Sequence, residues 1–512
     1  MERFLKRYND RITGILTGFD RMLFRGSLRS ISYVNGLQIF LNAQHVLLKE
    51  FAPYVERLTT ALKTHAADLA QRTGRPFLYL SASRTSKEDV IRQVLRTAPV
   101  REGLVAILSC VEPCQSFTVR RDRARKQISL KPHRAKCLHL YFYYLDREWG
   151  LMHIRVQTWV PFTVQVCLNG REWLARRLTQ AGIAYTQRDN CFTAIEDVGR
   201  AQRLFDSLVT RDWAPWLDRW VHQVNPLVVG PARLRLPSGY YWSLRQNEVA
   251  TDVMFRTPAA LQAIYPALTQ HAIQQFSSPH VLRFLGRRSS SDEITSRLTQ
   301  RSAGVCVRHS FEDNSIKMYD KYGSVLRIET TINHVDSFRV FRATTRKGQH
   351  HRRWSRLRKG VIDLPRRVEL ACAANARYLD ALSVVGDPTP SHRLLDPVSQ
   401  PTTHHGRPYR ALRPISPDEA PVFRAILRGE FNLHAVRNAD LRAQLSPTAD
   451  SSDPLATRRL SGRVTRTLAL LRAHGLIFKV AHTHRYRITK KGHHVMSTAL
   501  RFRETDLAVL AA

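Results

Sequence analysis

Residues 304–333, GVCVRHSFEDNSIKMYDKYGSVLRIETTIN, bring lysine, arginine, tyrosine and carboxylate together at strand spacing. Three strands are expected here. In GVCVRHS, Val305, Val307 and His309 share one side. In NSIKMYD, Ile316 and Met318 alternate with Lys317 and Tyr319. In SVLRIETT, Leu326 and Ile328 alternate with Arg327 and Glu329, after a turn at Lys321-Tyr322-Gly323. Side chains alternate across a strand, so Ile316, Met318, Leu326 and Ile328 turn to a core while Lys317, Tyr319, Arg327 and Glu329 share the opposite face. That set holds the parts for phosphodiester chemistry. Lys317 and Arg327 can act on phosphate charge, Tyr319 is an oxygen nucleophile, and Glu329 is a base or a ligand for Mg2+ or Mn2+, with His309 a further candidate ligand. The same residues equally compose a structural ion-pair network, since such networks imitate sites.

Two other groupings carry chemistry. The aromatic hairpin 137–157 places His139, Tyr141 and Tyr143 on one face of its first strand and His153, Arg155 and Gln157 on one face of its second. Tyr141 and Arg155 are parts of a surface on which splayed bases stack, and the histidines are parts of a metal site or of a packed sheet. Asp20 and Glu112 each follow an apolar strand, a weak form of the carboxylate arrangement that holds two Mg2+ ions. No GxxxxGK[ST] loop is present, so an ATP-driven motor is not indicated.

These residues need a large scaffold, and the chain provides one: 512 residues, 43% hydrophobic, enough for two to four domains. The fold class expected is a multidomain α/β and α+β protein: a mixed-sheet N-terminal body at 1–230, a central antiparallel β domain with a basic helical tail at 231–385, a linker at 386–417 and a C-terminal winged helix at 418–512. The linker rests on eight of the 24 prolines falling between 386 and 421. The break at 230 rests on NPLVVGPARLRLPSG. Within the body, ITGILTGFDRMLFRGSL reads as two short strands around a turn. Helices are expected from Lys49 to Gly74 and from Ser86 to Thr97. No run of about 18 apolar residues marks a membrane span, and the N-terminus lacks a secretory pattern, so a cytoplasmic protein without a membrane partner is expected.

Charge names the partner. The net charge is +38, and it is clustered. From Pro454 to Arg503 there are twelve Lys/Arg and no acid; from Ser337 to Cys372, eleven against two acids; from Phe117 to Cys137, eight against one. Clustered cations of this kind bind polyanions, nucleic acid above all. After residue 417 the order expected is helix, helix, helix, hairpin, helix. In TRRLSGRVTRTLALLRAHG, Leu460, Val464, Leu468 and Leu471 form one stripe and Arg459, Arg463 and Arg466 another, and GLIFKVAHTHRYRITKKG alternates around a short turn.

On LRAHGLI and RYRITKKG, following that long helix, the C-terminal region resembles the winged helix-turn-helix of MarR-type bacterial regulators. The resemblance implies that Arg459, Arg463 and Arg466 enter the major groove of duplex DNA and that His484 and Arg485 at the wing tip reach phosphate or minor groove. The loop 446–457 is longer than that pattern has. The string MYDKYGSVLRIE is similar to rolling-circle replication initiators, which implies Tyr319 as the nucleophile and Glu329 as a metal ligand; the His-hydrophobic-His metal motif of that class is absent. The function expected is a DNA-binding replication-initiator or transposase-like protein of a mobile element, acting on a phosphodiester with a divalent metal, its winged helix on duplex and its body on single strand. The alternative is a non-enzymatic winged-helix regulator with a large sensor or oligomerisation domain.

Overall fold

A computed structural model describes the chain except residues 123, 125, 230–232, 287–293, 302–303, 337, 347–348, 386–390, 428–434, 446–453, 482 and 506–512, and except the side chains of 301, 344–346, 349–351, 454 and 490. Most of the long loop expected at 446–457 therefore lies outside the described residues.

The strands are β1 (Ile12–Ser27), β2 (Phe77–Leu80), β3 (Gly103–Asp122), β4 (Gln127–Asp146), β5 (Gly150–Gln157), β6 (Val164–Asn169), β7 (Tyr185–Arg188), β8 (Cys191–Ile195), β9 (Tyr241–Phe255), β10 (Thr295–Arg301), β11 (Gly304–Phe311), β12 (Asn314–Lys321), β13 (Val325–Thr331), β14 (Arg339–Arg346) and β15 (Gln349–Arg356). Eleven of them form one sheet in the order β10-β11-β12-β13-β9-β1-β6-β5-β4-β3-β2. Only β2 and β3 run parallel; the other neighbours are antiparallel.

This topology removes the boundary expected at 230. β1, from the first thirty residues, lies between β9 and β6 and pairs with both. Backbone hydrogen bonds along those two edges join the two expected domains into one sheet. β1 is also a single strand of 16 residues rather than two strands around a turn. The polar Gly-Phe-Asp-Arg stretch that reads as a turn is a bulge: the register with β9 shifts between Phe19 and Met22.

The helices that cover the sheet follow the expected periods. The helix Phe51–Arg72 buries Phe51, Val55, Leu62 and Ala66 in one cluster with Leu140, Phe142, Ile154 and Val156 of β4 and β5. The helix Leu364–Leu382 lies on β9 and β13, where Tyr378 and Leu379 share a cluster with Ile316, Met318, Leu326 and Ile328. The helix Lys87–Thr97, capped by the Ser86 hydroxyl on the Asp89 amide, covers β3 and β4 from the opposite side. No helix among the described residues is long and apolar enough to cross a membrane.

From residue 391 onward the expected linker is folded. Leu395, Val398 and Leu412 are buried in one cluster with Phe423, Leu441, Val464, Leu468, Leu471 and Met496. Pro397 sits in a short 3-10 helix and Pro408 in a short strand, and apolar residues between the prolines fill the C-terminal core. In that region the described elements run helix Ala420–Ile426, helix Asn438–Leu445, helix Pro454–Ala473, the pair Ile477–Lys479 and Tyr486–Ile488, and helix Lys490–Glu504.

Candidate active site

Three strands deliver the polar face. Register pairs Lys317 with Glu329 and Tyr319 with Arg327 across β12 and β13, and Arg327 with Asp252 across β13 and β9. Alternation then places Lys317, Tyr319, Arg327, Glu329, Glu248 and Asp252 on one side of the sheet. Asp20 joins them from the bulge of β1, which is how a bulge re-aims a side chain. Just before it, Gly18 lets the Phe205 ring close on the strand: a Cβ there would lie 2.3 Å from that ring.

The site has a sealed end and a half-buried end. At the sealed end Arg327, 0% exposed, grips Asp252 through Nε–Oδ1 at 2.5 Å and Nη2–Oδ2 at 2.8 Å. Its Nη1 donates to Asp20 Oδ2 at 2.8 Å and its Nη2 to the Asn190 carbonyl at 2.7 Å. Arg171 of the helix Gly170–Gln180 adds a second guanidinium 3.2 Å from Asp252, and the Asn190 amide donates to both oxygens of Asp20 at 2.9 Å. Burial pushes Asp252 up, but Arg171 and Arg327 outweigh it and hold the carboxyl below its usual range. Arg327, expected to act on phosphate, is thus enclosed and fixes Asp20 and Asp252 instead.

At the other end, where Lys317 and Tyr319 are half-buried, the buried Glu329 accepts from Lys317 on Oε1 and from the Tyr319 hydroxyl on Oε2. Lys317 Nζ is also 3.8 Å from Glu248 Oε1. Oxygens of Asp20, Glu248 and Glu329 all lie within 4.8 Å of one another. Burial pushes Glu329 up, yet the charge and hydrogen bond of Lys317 hold it below the usual carboxylate range. Asp20 and Glu248 are raised, by burial first; Glu329 adds to the rise in both, against Arg327 at Asp20 and Lys317 at Glu248. Burial and then Glu329 also raise Tyr319 well above an ordinary phenol. Three convergent carboxylates fit a hard divalent cation. In the structure the Lys317 ammonium supplies positive charge between two of them.

Around this cluster the face is basic. Arg21, Arg245 and Arg308 are exposed, and Arg25 of β1 feels the charges of Arg245 and Arg155. Arg155 leads to a second carboxylate. Glu112 Oε2 accepts from Tyr141 at 2.7 Å and Arg155 at 2.8 Å, and its Oε1 pairs with Lys87 at 3.0 Å. Burial raises Glu112, but Tyr141, Lys87 and Arg155 bring it to about 2. Glu112 is therefore apart from Asp20, four strands along the sheet. Tyr141, 7% exposed and under the Lys87 ammonium, belongs to this network rather than to an open stacking surface.

His309 lies elsewhere. It is on the opposite side of the sheet from Glu329, fully buried between Ser296 at 2.7 Å and Tyr378 at 3.1 Å, and burial brings it to about 4. It cannot share an ion with Glu329. His139, also fully buried, has its Nδ1 3.2 Å from the Cys137 carbonyl.

On the helix Pro454–Ala473, Arg459, Arg463 and Arg466 are exposed while Val464, Leu468 and Leu471 are buried. His484 is exposed. Arg485 instead stacks over the Phe341 ring of β14 at 5.1 Å, beside Arg437 at 5.0 Å. Asn438 donates to the Ser461 carbonyl and Thr465 Oγ1 and so ties two helices together.

Sequence reasoning missed Glu248, Asp252, Arg171 and Asn190. A signal existed for the first two: acids four apart in the strand text NEVATDVMF must share a strand face. Nothing local marked the other two. Comparison with known proteins gave no match to any family model, curated protein or solved structure.

Proposed function

We propose that this chain binds DNA on the open face of its large sheet and acts on a phosphodiester there with Mg2+ or Mn2+, as a replication-initiator or transposase-like protein does. One observation carries the reading: Asp20, Glu248 and Glu329 converge from three strands, Glu248 half-buried and the other two buried, on a face whose rim is arginine. Opposite charges are thereby set for two tasks, a cation for the carboxylates and a phosphate backbone for Arg21, Arg245 and Arg308. A divalent ion held by the three carboxylates would supply charge to a phosphate oxygen.

The chain's own residues do the rest. Tyr319 already donates to Glu329, so nucleophile and base are within hydrogen-bond reach and Lys317 orients the base. Arg327 and Arg171 are positioning residues that hold Asp20 and Asp252. The C-terminal region acts as the winged-helix reader of duplex DNA, with Arg459, Arg463 and Arg466 as its outward stripe.

Incubation of the full chain with single-stranded and supercoiled DNA and Mg2+ or Mn2+ tests this. A phosphotyrosine adduct that survives denaturation is expected, lost in Tyr319→Phe and strongly reduced in Glu329→Gln and Asp20→Asn. Metal-dependent cleavage that persists in Tyr319→Phe without an adduct would show water as the nucleophile. Duplex binding with no cleavage under either metal would reduce the acidic cluster to an ion-pair network and the protein to a regulator.

A further inference from the structure

A cleft between the C-terminal helix Lys490–Glu504 and the body holds more arginines than carboxylates among the described residues. Its volume is about 90 Å³, and His280, Arg283, Arg377, His493 and Arg501 are among its walls. One water needs roughly 10–15 Å³ on this scale, so a tetrahedral oxyanion fits.

The arginines and the neutral His280 keep donors to spare among the described residues. Arg377, 7% exposed, gives Nε and Nη2 to one acceptor, the Phe284 carbonyl, at 2.9 and 2.5 Å. Burial brings its guanidinium down to about 10, with no carboxylate offsetting the loss as Asp252 does for Arg327. Arg283 Nη2 and His280 Nε2 are buried without a hydrogen-bond partner among the described residues. The carboxylate facing them, Glu504 Oε2, stands off at 3.6 and 3.9 Å, and Glu504 Oε1 is 3.2 Å from Arg424. Asp380, the other acid at the cleft, is engaged by the N-terminal ammonium. Arg501 Nη2 points at His271 Nε2, 3.3 Å away. A buried charge without a partner is costly, and guanidinium groups from separate helices match the oxygens of a phosphate.

We propose that this cleft binds a phosphate group, held by Arg283, Arg377 and Arg501 with His280 as a further donor. The phosphate is that of a free phosphate compound or of a nucleic-acid backbone. Because these residues come from the body and from the C-terminal helix, occupancy fastens one to the other. The site is separate from the acidic cluster.

The test is thermal unfolding of the metal-free full chain in rising inorganic phosphate against sodium chloride of equal ionic strength. A saturable rise in midpoint is expected with phosphate alone, since a ligand that binds only the folded state stabilises it by mass action. The rise, read for each variant against its own phosphate-free midpoint, should vanish in Arg501→Gln and in Arg283→Gln, persist in part in Arg501→Lys, and be unchanged in Tyr319→Phe. Arg377 is left intact because it also bonds the Phe284 carbonyl. Binding of a single-stranded oligonucleotide then separates the sources. Weakening by Arg501→Gln assigns the phosphate to a nucleic-acid backbone, and unchanged binding assigns it to a free compound. Equal stabilisation by chloride, or a phosphate response that survives both Gln variants, overturns the site.

Discussion

Replacing Arg327 by Met tests whether the sealed end holds the acidic cluster in place. The side chain is 0% exposed and its volume is roughly kept, so the change removes charge and hydrogen bonds rather than packing. Four contacts go: two to Asp252, one to Asp20 and one to the Asn190 carbonyl. Asp252 is left with Arg171 at 3.2 Å as its remaining ion-pair partner. Breaking a buried pair from one side costs about 3–5 kcal/mol, because a charge stays buried. Asp20 softens that cost, since its carboxyl is already raised by burial and takes up a proton readily once Arg327 is gone. The expected loss is therefore about 3 kcal/mol, read as a lower denaturant midpoint at unchanged slope. Arg327→Lys, which keeps the charge but not the fork, should lose less. The double variant Arg327→Met with Asp252→Asn should lose less than the sum of the two singles, because the orphaned charge is removed with its partner. A single variant within about 0.5 kcal/mol of the parent, or strict additivity in the double, would refute the positioning role.

Acid should weaken the fold before carboxylates titrate. His139 is fully buried, and burial, then Arg155, bring it from 6.5 to about 4. A depressed folded pKa gives stability that is complete above pH 6.5 and lost as pH falls from 6.5 to 4, about 3 kcal/mol at most; His139→Gln should make that part of a stability-pH profile less steep, with the share of His309 remaining. Glu112, held at about 2, adds a further loss from about pH 4.5 downward, which Glu112→Gln should abolish. Leu412→Ala should cost about 2–4 kcal/mol in the C-terminal unfolding transition, since Leu412 is 2% exposed; a linker residue there would change it by less than about 0.5. Arg463→Ala and Arg466→Ala should each weaken binding to a preferred duplex by about 1–3 kcal/mol, measured by fluorescence anisotropy at fixed salt. Equal loss on every sequence would assign both to phosphate.

Local pattern determined a great deal. Alternation in NSIKMYD and SVLRIETT was enough to put Lys317, Tyr319 and Glu329 on one face, because a strand has only two sides. Helical period and caps located the helices Phe51–Arg72 and Lys87–Thr97 to within a few residues. The stripes of the helix Pro454–Ala473 were legible for the same reason: Val464 and Leu468 are buried and Arg463 and Arg466 exposed. Pairing across hundreds of residues was not legible. That β1 inserts between β9 and β6 is set by which edges find each other, and no local period encodes it. This pairing brings Asp20 to Arg327, 307 positions away, and merges two expected domains into one sheet. It also decides what each charged residue does. Arg327 and Lys317 read alike in sequence, as cations alternating with apolar residues. Helices and a hairpin close over Arg327 and leave Lys317 half-buried, so burial makes one a clamp on Asp20 and Asp252 and leaves the other between Glu248 and Glu329.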